Sequence, residues 1–180
     1  MLYLFTDTRR KQTKNNFLQK FVMKNQSCKY DFAGVVLKNM IKKFSDNDID
    51  RVMTIWFEAN MDSHDFINPD YWKEKCNEVR SMIPQAEVYV YETDSIIKGF
   101  IGLDGDYIAG IFVDKLYRSE GIGTALIDFT KKIRNRLVLS VYEKNKPAVK
   151  FYEKSGFIIE STGTDNDTLQ IEYTMLWNIE

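Results

Sequence analysis

The chain has 180 residues, 44% hydrophobic and 28% charged, a composition that fits one globular domain with room for an appendage. A net charge of −1 gives no electrostatic footing for nucleic acid, a single histidine excludes a histidine-rich metal site, and no apolar run approaches the roughly 18 residues of a membrane span. Cys28 and Cys76 have neither metal-type spacing nor a disulfide framework, so no metal is expected and a reducing cytoplasm is the expected compartment.

Charge divides the chain. Residues 1–39 carry eight basic and two acidic residues, a balance of +6, whereas the remainder carries 17 basic and 24 acidic, a balance of −7. Within the basic segment Phe17, Leu18, Phe21 and Val22 fall on one face of a candidate amphipathic helix. The segment is read as an extension, either loosely ordered or preceding a start at Met40, and residues 40–180 as the domain.

From Met40 the chain opens on a short strand. Ser45 and Asp48 then form a capping-box pair ahead of Ile49, Val52, Met53, Trp56 and Ala59 at helical spacing. A second helix is capped by Asn68, has Pro69 in its first turn and stops before Pro84. "EVYVYE", "SIIKGFIGL" and "YIAGIFV" read as strands, the last two joined by the hairpin signal "DGD" at 104–106. A third helix follows, with Ile122, Ala125, Leu126, Phe129 and Ile133 on one face. "LVLSVY" is a nearly continuous apolar strand suited to a buried parallel neighbour. Asn145 and Pro147 begin a fourth helix that Gly156 ends, and "FIIEST" and "TLQIEYTMLW" close the chain as an antiparallel pair. The expected order is β-α-α-β-β-β-α-β-α-β-β. This is an α/β (α+β) mixed sheet with helices on both faces and a parallel crossover between Tyr107 and Tyr142.

"RSEGIG", 118–123, is R-x-x-G-x-G placed after a strand and before a helix. Unpaired N–H groups at a helix start suit a phosphate, the glycines clear side chains from its path, and Arg118 offers a charge-assisted contact. The dinucleotide fingerprint is excluded because Leu126 stands where a third small residue is needed. The mononucleotide P-loop is excluded because "GIGTAL" has no lysine. On the next strand–helix unit stands N-x-x-A-x-x-F-Y-x-x-x-G-F, from Asn145 to Phe157. Taken together the two motifs, over about Met40 to Trp177, resemble the GNAT superfamily of acetyl-CoA-dependent N-acetyltransferases. "HDFINPDYW" and "SVYEKN" are similar to a bacterial single-domain subgroup in which some members acetylate protein lysines.

That resemblance implies a mostly antiparallel sheet with one splayed parallel strand pair, and acetyl-CoA as co-substrate. The backbone of Ile111, Phe112 and Val113 would pair with the pantetheine arm. Arg118, Ser119, Glu120, Gly121, Ile122, Gly123 and Thr124 would wrap the pyrophosphate, Asn145 would reach the cofactor arm, and Phe151 would pack beside it. Tyr152 would stand by the thioester sulfur as general acid. Many members hold an acidic base near the start of the central strand; here Asp106 and Tyr107 occupy that neighbourhood, and Glu92 or ordered water are alternatives. His64, in the loop between the first helices, is a candidate for the amine pocket, with a surface or structural histidine as the alternative, while Trp56, Tyr71, Trp72 and Cys76 are expected to pack the core. The acceptor is a primary amine, on a small molecule or a protein lysine or N-terminus, and the protein a monomer or homodimer. The competing reading is a non-catalytic acyl-CoA-binding regulatory module.

Overall fold

The structure is a computed structural model, described here for residues 40–179; the basic segment and its candidate helix at 17–22 lie outside those residues. Seven strands and four α-helices follow in the expected order: β1 (Ile41–Lys43), α1 (Ile49–Ser63), α2 (Pro69–Met82), β2 (Glu87–Thr93), β3 (Ile96–Asp104), β4 (Tyr107–Val113), α3 (Ile122–Ile133), β5 (Arg136–Tyr142), α4 (Lys146–Lys154), β6 (Ile158–Thr164) and β7 (Ile171–Asn178). The strands form one sheet in the order β1-β2-β3-β4-β5-β7-β6, and β4–β5 is its parallel pair.

Local chemistry sets the boundaries. The Asp48 carboxylate accepts from the Ser45 N–H at 3.0 Å in a single 3-10 turn that leads into α1. Asn68 Oδ1 accepts from the Asp70 N–H at 3.0 Å to start α2. The hairpin between β3 and β4 turns at Gly105, φ +58°, so the glycine there is required by the backbone.

Two cores lie on opposite faces of the sheet. Val52, Ile55, Trp56 and Trp72 of α1 and α2 pack against Val88, Val90, Phe100 and Phe112. Ile122, Leu126 and Ile127 of α3, with Val149 and Tyr152 of α4, pack against Ile101, Leu103, Ile108, Leu139 and Met175. Alternation along the strands divides the residues: Phe100 faces one core and Ile101 the other. The α3 stripe is rotated from the expected one. Ile133 is exposed, and the buried positions are Ile122, Leu126, Ile127 and Thr130. A threonine belongs there because its hydroxyl donates to the Leu126 carbonyl at 2.9 Å, so it enters the core with its polar group satisfied.

The feature that shapes the site is a failure of pairing. β4 and β5 are in register only at Tyr107↔Val138 and Ile108↔Leu139, after which they part. The parting begins where β4 carries a bulge: Leu103 faces Ile108 and Gly102 faces Gly110, so Ala109 is the extra residue. A bulge bends and twists its strand, which turns the rest of β4 away from β5.

Candidate active site

Beyond Ile108, β4 keeps β3 on one side and, among the described residues, has no strand on the other. The Asp114 N–H donates to the Lys98 carbonyl at 2.9 Å. In an antiparallel pair the direction of the backbone groups alternates, so Phe112 also turns its N–H and C=O to β3. Ile111 and Val113 turn theirs into the gap. Of the three residues expected to pair with the pantetheine arm, Ile111 and Val113 present backbone to the gap and Phe112 lines the cleft with its backbone turned to β3.

The gap opens into a cleft of about 410 Å³ between the start of α3, the start of α4 and the end of α1. Of the residues singled out from sequence, Ile111, Phe112, Val113, Arg118, Ser119, Gly121, Ile122, Gly123, Thr124, Asn145, Phe151, Tyr152 and His64 all line it. Glu120 is exposed and does not. Asp106, Tyr107 and Glu92 do not line it either. Asp106 sits in the hairpin turn at the closed end of β4, where its carbonyl accepts from the Val138 N–H and its half-exposed carboxylate lies 4.0 Å from Arg134. Glu92 pairs with Lys42 at 2.6 Å.

Each glycine of the loop has its own physical reason. Gly121 has φ +81°, the left-handed region that a residue with a Cβ enters at a cost of roughly 1–2 kcal/mol, and among the described residues beyond its chain neighbours nothing lies within 4 Å of where its Cβ would be. Gly123 is different: a Cβ there would stand 3.2 Å from the Phe151 ring, so its absence lets α3 and α4 approach. Gly121 is the N-cap of α3 and offers no side-chain cap. The first amide to bond back is that of Ala125, to the Gly121 carbonyl at 2.9 Å. The N–H groups of Ile122, Gly123 and Thr124 thus stand at the positive end of the helix without helical partners. Arg118 is less free than its place in the motif suggests. Its guanidinium is ion-paired with Asp62, its Nε donates to the Val113 carbonyl at 3.3 Å, and Asp62 is also held by Lys115 at 2.8 Å. The Lys115 and Arg118 contacts keep the Asp62 carboxyl below the usual carboxylate range.

The opposite wall is made of side chains. Asn145 caps α4 by accepting from the Ala148 N–H at 3.2 Å, and its Nδ2 lies 3.2 Å from Nε2 of His64. An amide nitrogen only donates, so Nε2 accepts and the imidazole proton resides on Nδ1. His64 is 6% exposed, stacked on Trp72 at 5.3 Å and edge-on to Tyr142 at 5.4 Å; burial lowers its pKa to about 3, so it is neutral. Tyr152 is 2% exposed between Phe151 and Phe157. Burial pushes its phenol well above the ordinary range, and Tyr107 at the closed end of β4 adds to the shift.

Sequence reading missed Ala59, Asn60, Ser63, Tyr117, Pro147 and Ala148 as lining residues. It also missed the ion pair of Arg51 with Asp114. The Asp114 carboxylate accepts from the Leu116 N–H at 2.8 Å, and these contacts outweigh burial to hold it below its usual range. No spacing signal joins α1 to the end of β4; the fold alone brings them together.

The parallel pair splays beside an uncapped, glycine-opened helix start, so a strand edge and the first amides of α3 face the same gap. The sequence pattern of the Acetyltransferase (GNAT) domain matches residues 84–159. The chain is 30% identical to the peptidyl-lysine N-acetyltransferase YiaC of Escherichia coli over 142 residues, covering 78% of this chain and 97% of that one. It is 30% identical to the peptidyl-lysine N-acetyltransferase YjaB of E. coli over 129 residues, covering 71% and 87%. The solution structure of apo YjaB from E. coli superposes with a TM-score of 0.70 at 25% identity, over 78% of this chain and 97% of that one. The fold is also that of PaiA N-acetyltransferase from Thermoplasma acidophilum, solved with coenzyme A, at a TM-score of 0.66, 21% identity and coverage of 77% and 97%. The chain belongs to the GNAT family and is a GNAT-type N-acetyltransferase.

Proposed function

We propose that this enzyme moves the acetyl group of acetyl-CoA directly to a primary amine, with Tyr152 as general acid, and that the acceptor is a lysine side chain of a protein or a small amine resembling one. The observation that carries this reading is the convergence on one cleft of the unpaired β4 edge, the three free N–H groups of α3 and the buried Tyr152 phenol. The lysine class is supported by the relatives named peptidyl-lysine N-acetyltransferases.

In this reading the N–H groups of Ile122, Gly123 and Thr124 hold the pyrophosphate of the co-substrate. Ile111 and Val113 pair with its pantetheine arm as a neighbouring strand would. Acetyl-CoA supplies a thioester whose carbonyl carbon a neutral amine attacks, forming the C–N bond as the C–S bond breaks. The Val113 N–H faces the gap and stabilises negative charge on the carbonyl oxygen. Tyr152 Oη gives its proton to the departing thiolate, and its raised pKa keeps the phenol protonated until then. The proton lost by the amine reaches water, since Asp106 and Glu92 lie outside the cleft.

Tyr152→Phe tests the assignment by removing one oxygen and keeping the ring. Acetyl transfer, read as thiol release with a lysine peptide, should fall at least about 100-fold while acetyl-CoA affinity holds. Unchanged turnover would reduce Tyr152 to a packing residue, and absent turnover in the wild type with intact acetyl-CoA binding would favour a binding module.

A further inference from the structure

Among the described residues, few buried side-chain polar atoms are left without a hydrogen-bond partner, and one of them belongs to the wall of the cleft. It is Oδ1 of Asn60, a residue of α1 that lines the cleft and is 1% exposed. The amide is oriented by its own helix, since Nδ2 donates to the Trp56 carbonyl at 2.9 Å. A carbonyl only accepts, so the nitrogen must be the atom that faces it, and Oδ1 is the end turned away from the helix backbone. A buried acceptor without a donor is costly to the fold. On a cleft wall, such an atom marks a place where a ligand's donor belongs.

The surroundings say what kind of donor that is. Asn60 shares its part of the wall with Ala59, Ser63 and Phe112. The Phe112 side chain belongs to the core under α1 and α2, on the face of the sheet opposite Ile122 at the start of α3. Asn60 therefore stands across the cleft from the α3 amides, on the side left for a second reactant. Ala59 and Phe112 offer it apolar surface. Among the described residues no carboxylate lines the cleft, and His64 is neutral, so nothing on this wall holds a bound amine in its charged form.

Resting on the amine-acceptor reading of this cleft, we propose that Asn60 Oδ1 accepts a hydrogen bond from the acceptor amine and holds its lone pair toward the thioester. A neutral primary amine carries two N–H donors and one lone pair. With the lone pair aimed at the carbonyl carbon, the donors still need acceptors, and Asn60 supplies one. An amide oxygen suits the task because it is uncharged. A carboxylate in its place would favour the ammonium form, whose lone pair is taken by a proton. The same atom selects the nucleophile: an amine keeps an N–H for Asn60 while it attacks, whereas an alcohol giving up its one proton keeps none. Because Asn60 is almost wholly withdrawn from water, an amine that reaches it has shed its own hydration, as the attack requires.

The test compares the full chain with Asn60→Leu and Asn60→Ala. Thiol release is followed against the concentration of Nα-acetyl-lysinamide at saturating acetyl-CoA, with acetyl-CoA affinity read by calorimetry. In both variants kcat/KM for the amine should fall about tenfold or more, the scale of one hydrogen bond, while acetyl-CoA affinity holds. The Tm of Asn60→Leu should equal or exceed that of the wild type. Leucine is close in size, the Trp56 carbonyl keeps its helical partner in the backbone N–H of residue 60, and a buried acceptor without a donor disappears. A merely structural Asn60 would lower the Tm instead, and that result overturns the proposal. A loss confined to Asn60→Leu also overturns it, since leucine would then be blocking the cleft by its bulk. Unchanged kcat/KM in both variants overturns it as well and leaves Oδ1 to a buried water only. In these three outcomes the wild type still acetylates the amine and the transfer reading stands; a wild type that turns over no amine removes that reading and this proposal together.

Discussion

The two walls of the cleft are built in different ways. The wall formed by β4 and α3 presents backbone: the edge of Ile111 and Val113, and amides that Gly121 leaves uncapped. The wall formed by α4 and the α1–α2 connection presents side chains locked by other side chains, with Asn145 held by His64, and His64 by Trp72 and Tyr142. A backbone wall needs residues that stay out of the way, so its sequence trace is short and contiguous. A side-chain wall needs partners from distant elements, and here they come from residues 64, 72, 142 and 145.

The largest expected effect is on the backbone wall. Gly121→Val places a β-branched side chain at φ +81° and into the space above the α3 amides. The rise in Tm that acetyl-CoA gives by binding the native state should vanish, and turnover with it. Strain alone could also disturb the loop, so Gly121→Asn is the control. Asparagine tolerates the left-handed region, so the unliganded Tm should stay near wild type while the acetyl-CoA shift is still lost. An acetyl-CoA shift that survives in Gly121→Asn would show that the glycine serves the turn and not the ligand.

The contrast between the walls also explains what was readable in the sequence. All seven strands and four helices follow from periodicity and end signals, because Asn68, Gly105, Asn145 and Gly156 each act on their own few residues. The backbone wall was legible for the same reason, as two glycines within "RSEGIG". The bulge at Ala109, which opens the gap, left no signal, since "YIAGIFV" reads as any apolar strand. Asp106, a candidate base by its place in the sequence, does not line the cleft. The residue is close to the central strand in sequence, but it lies at the strand's closed end. His64 could be named as a pocket residue, yet its hold on Asn145 spans 81 positions and no local pattern carries it.

A middle effect tests the side-chain wall through pH. His64 is the chain's one histidine, and burial lowers its pKa from 6.5 to about 3. Between those values the unfolded chain binds a proton that the folded chain does not, so this group makes stability fall as pH drops below 6.5, by up to about 1.4 kcal/mol per pH unit. Glu172, whose pKa is raised, acts in the opposite direction above its usual value, but it is present in both proteins compared. His64→Gln keeps an acceptor for the Asn145 amide and cannot titrate. Denaturant unfolding across mildly acidic pH should show a shallower loss of stability in the variant, and parallel curves would mean that His64 is open to protons in the native state.

The smallest effect separates the walls at their junction. Asp62 lies on α1, yet it holds Arg118 of the loop before α3 and Lys115 beside it. The pairs are substantially solvent-exposed, so they contribute little to stability, about 0–1 kcal/mol in such settings. Their expected effect is on where the Arg118 guanidinium points. Asp62→Asn weakens the competing anion, leaving Arg118 to swing toward a phosphate. Acetyl-CoA should then bind a few-fold more tightly, with a steeper dependence on salt, because one more unneutralised cation faces the ligand. KM for the acceptor should not move. Weaker acetyl-CoA binding in Asp62→Asn would instead show that the ion pair positions Arg118 for the phosphate, making α1 a working part of the backbone wall.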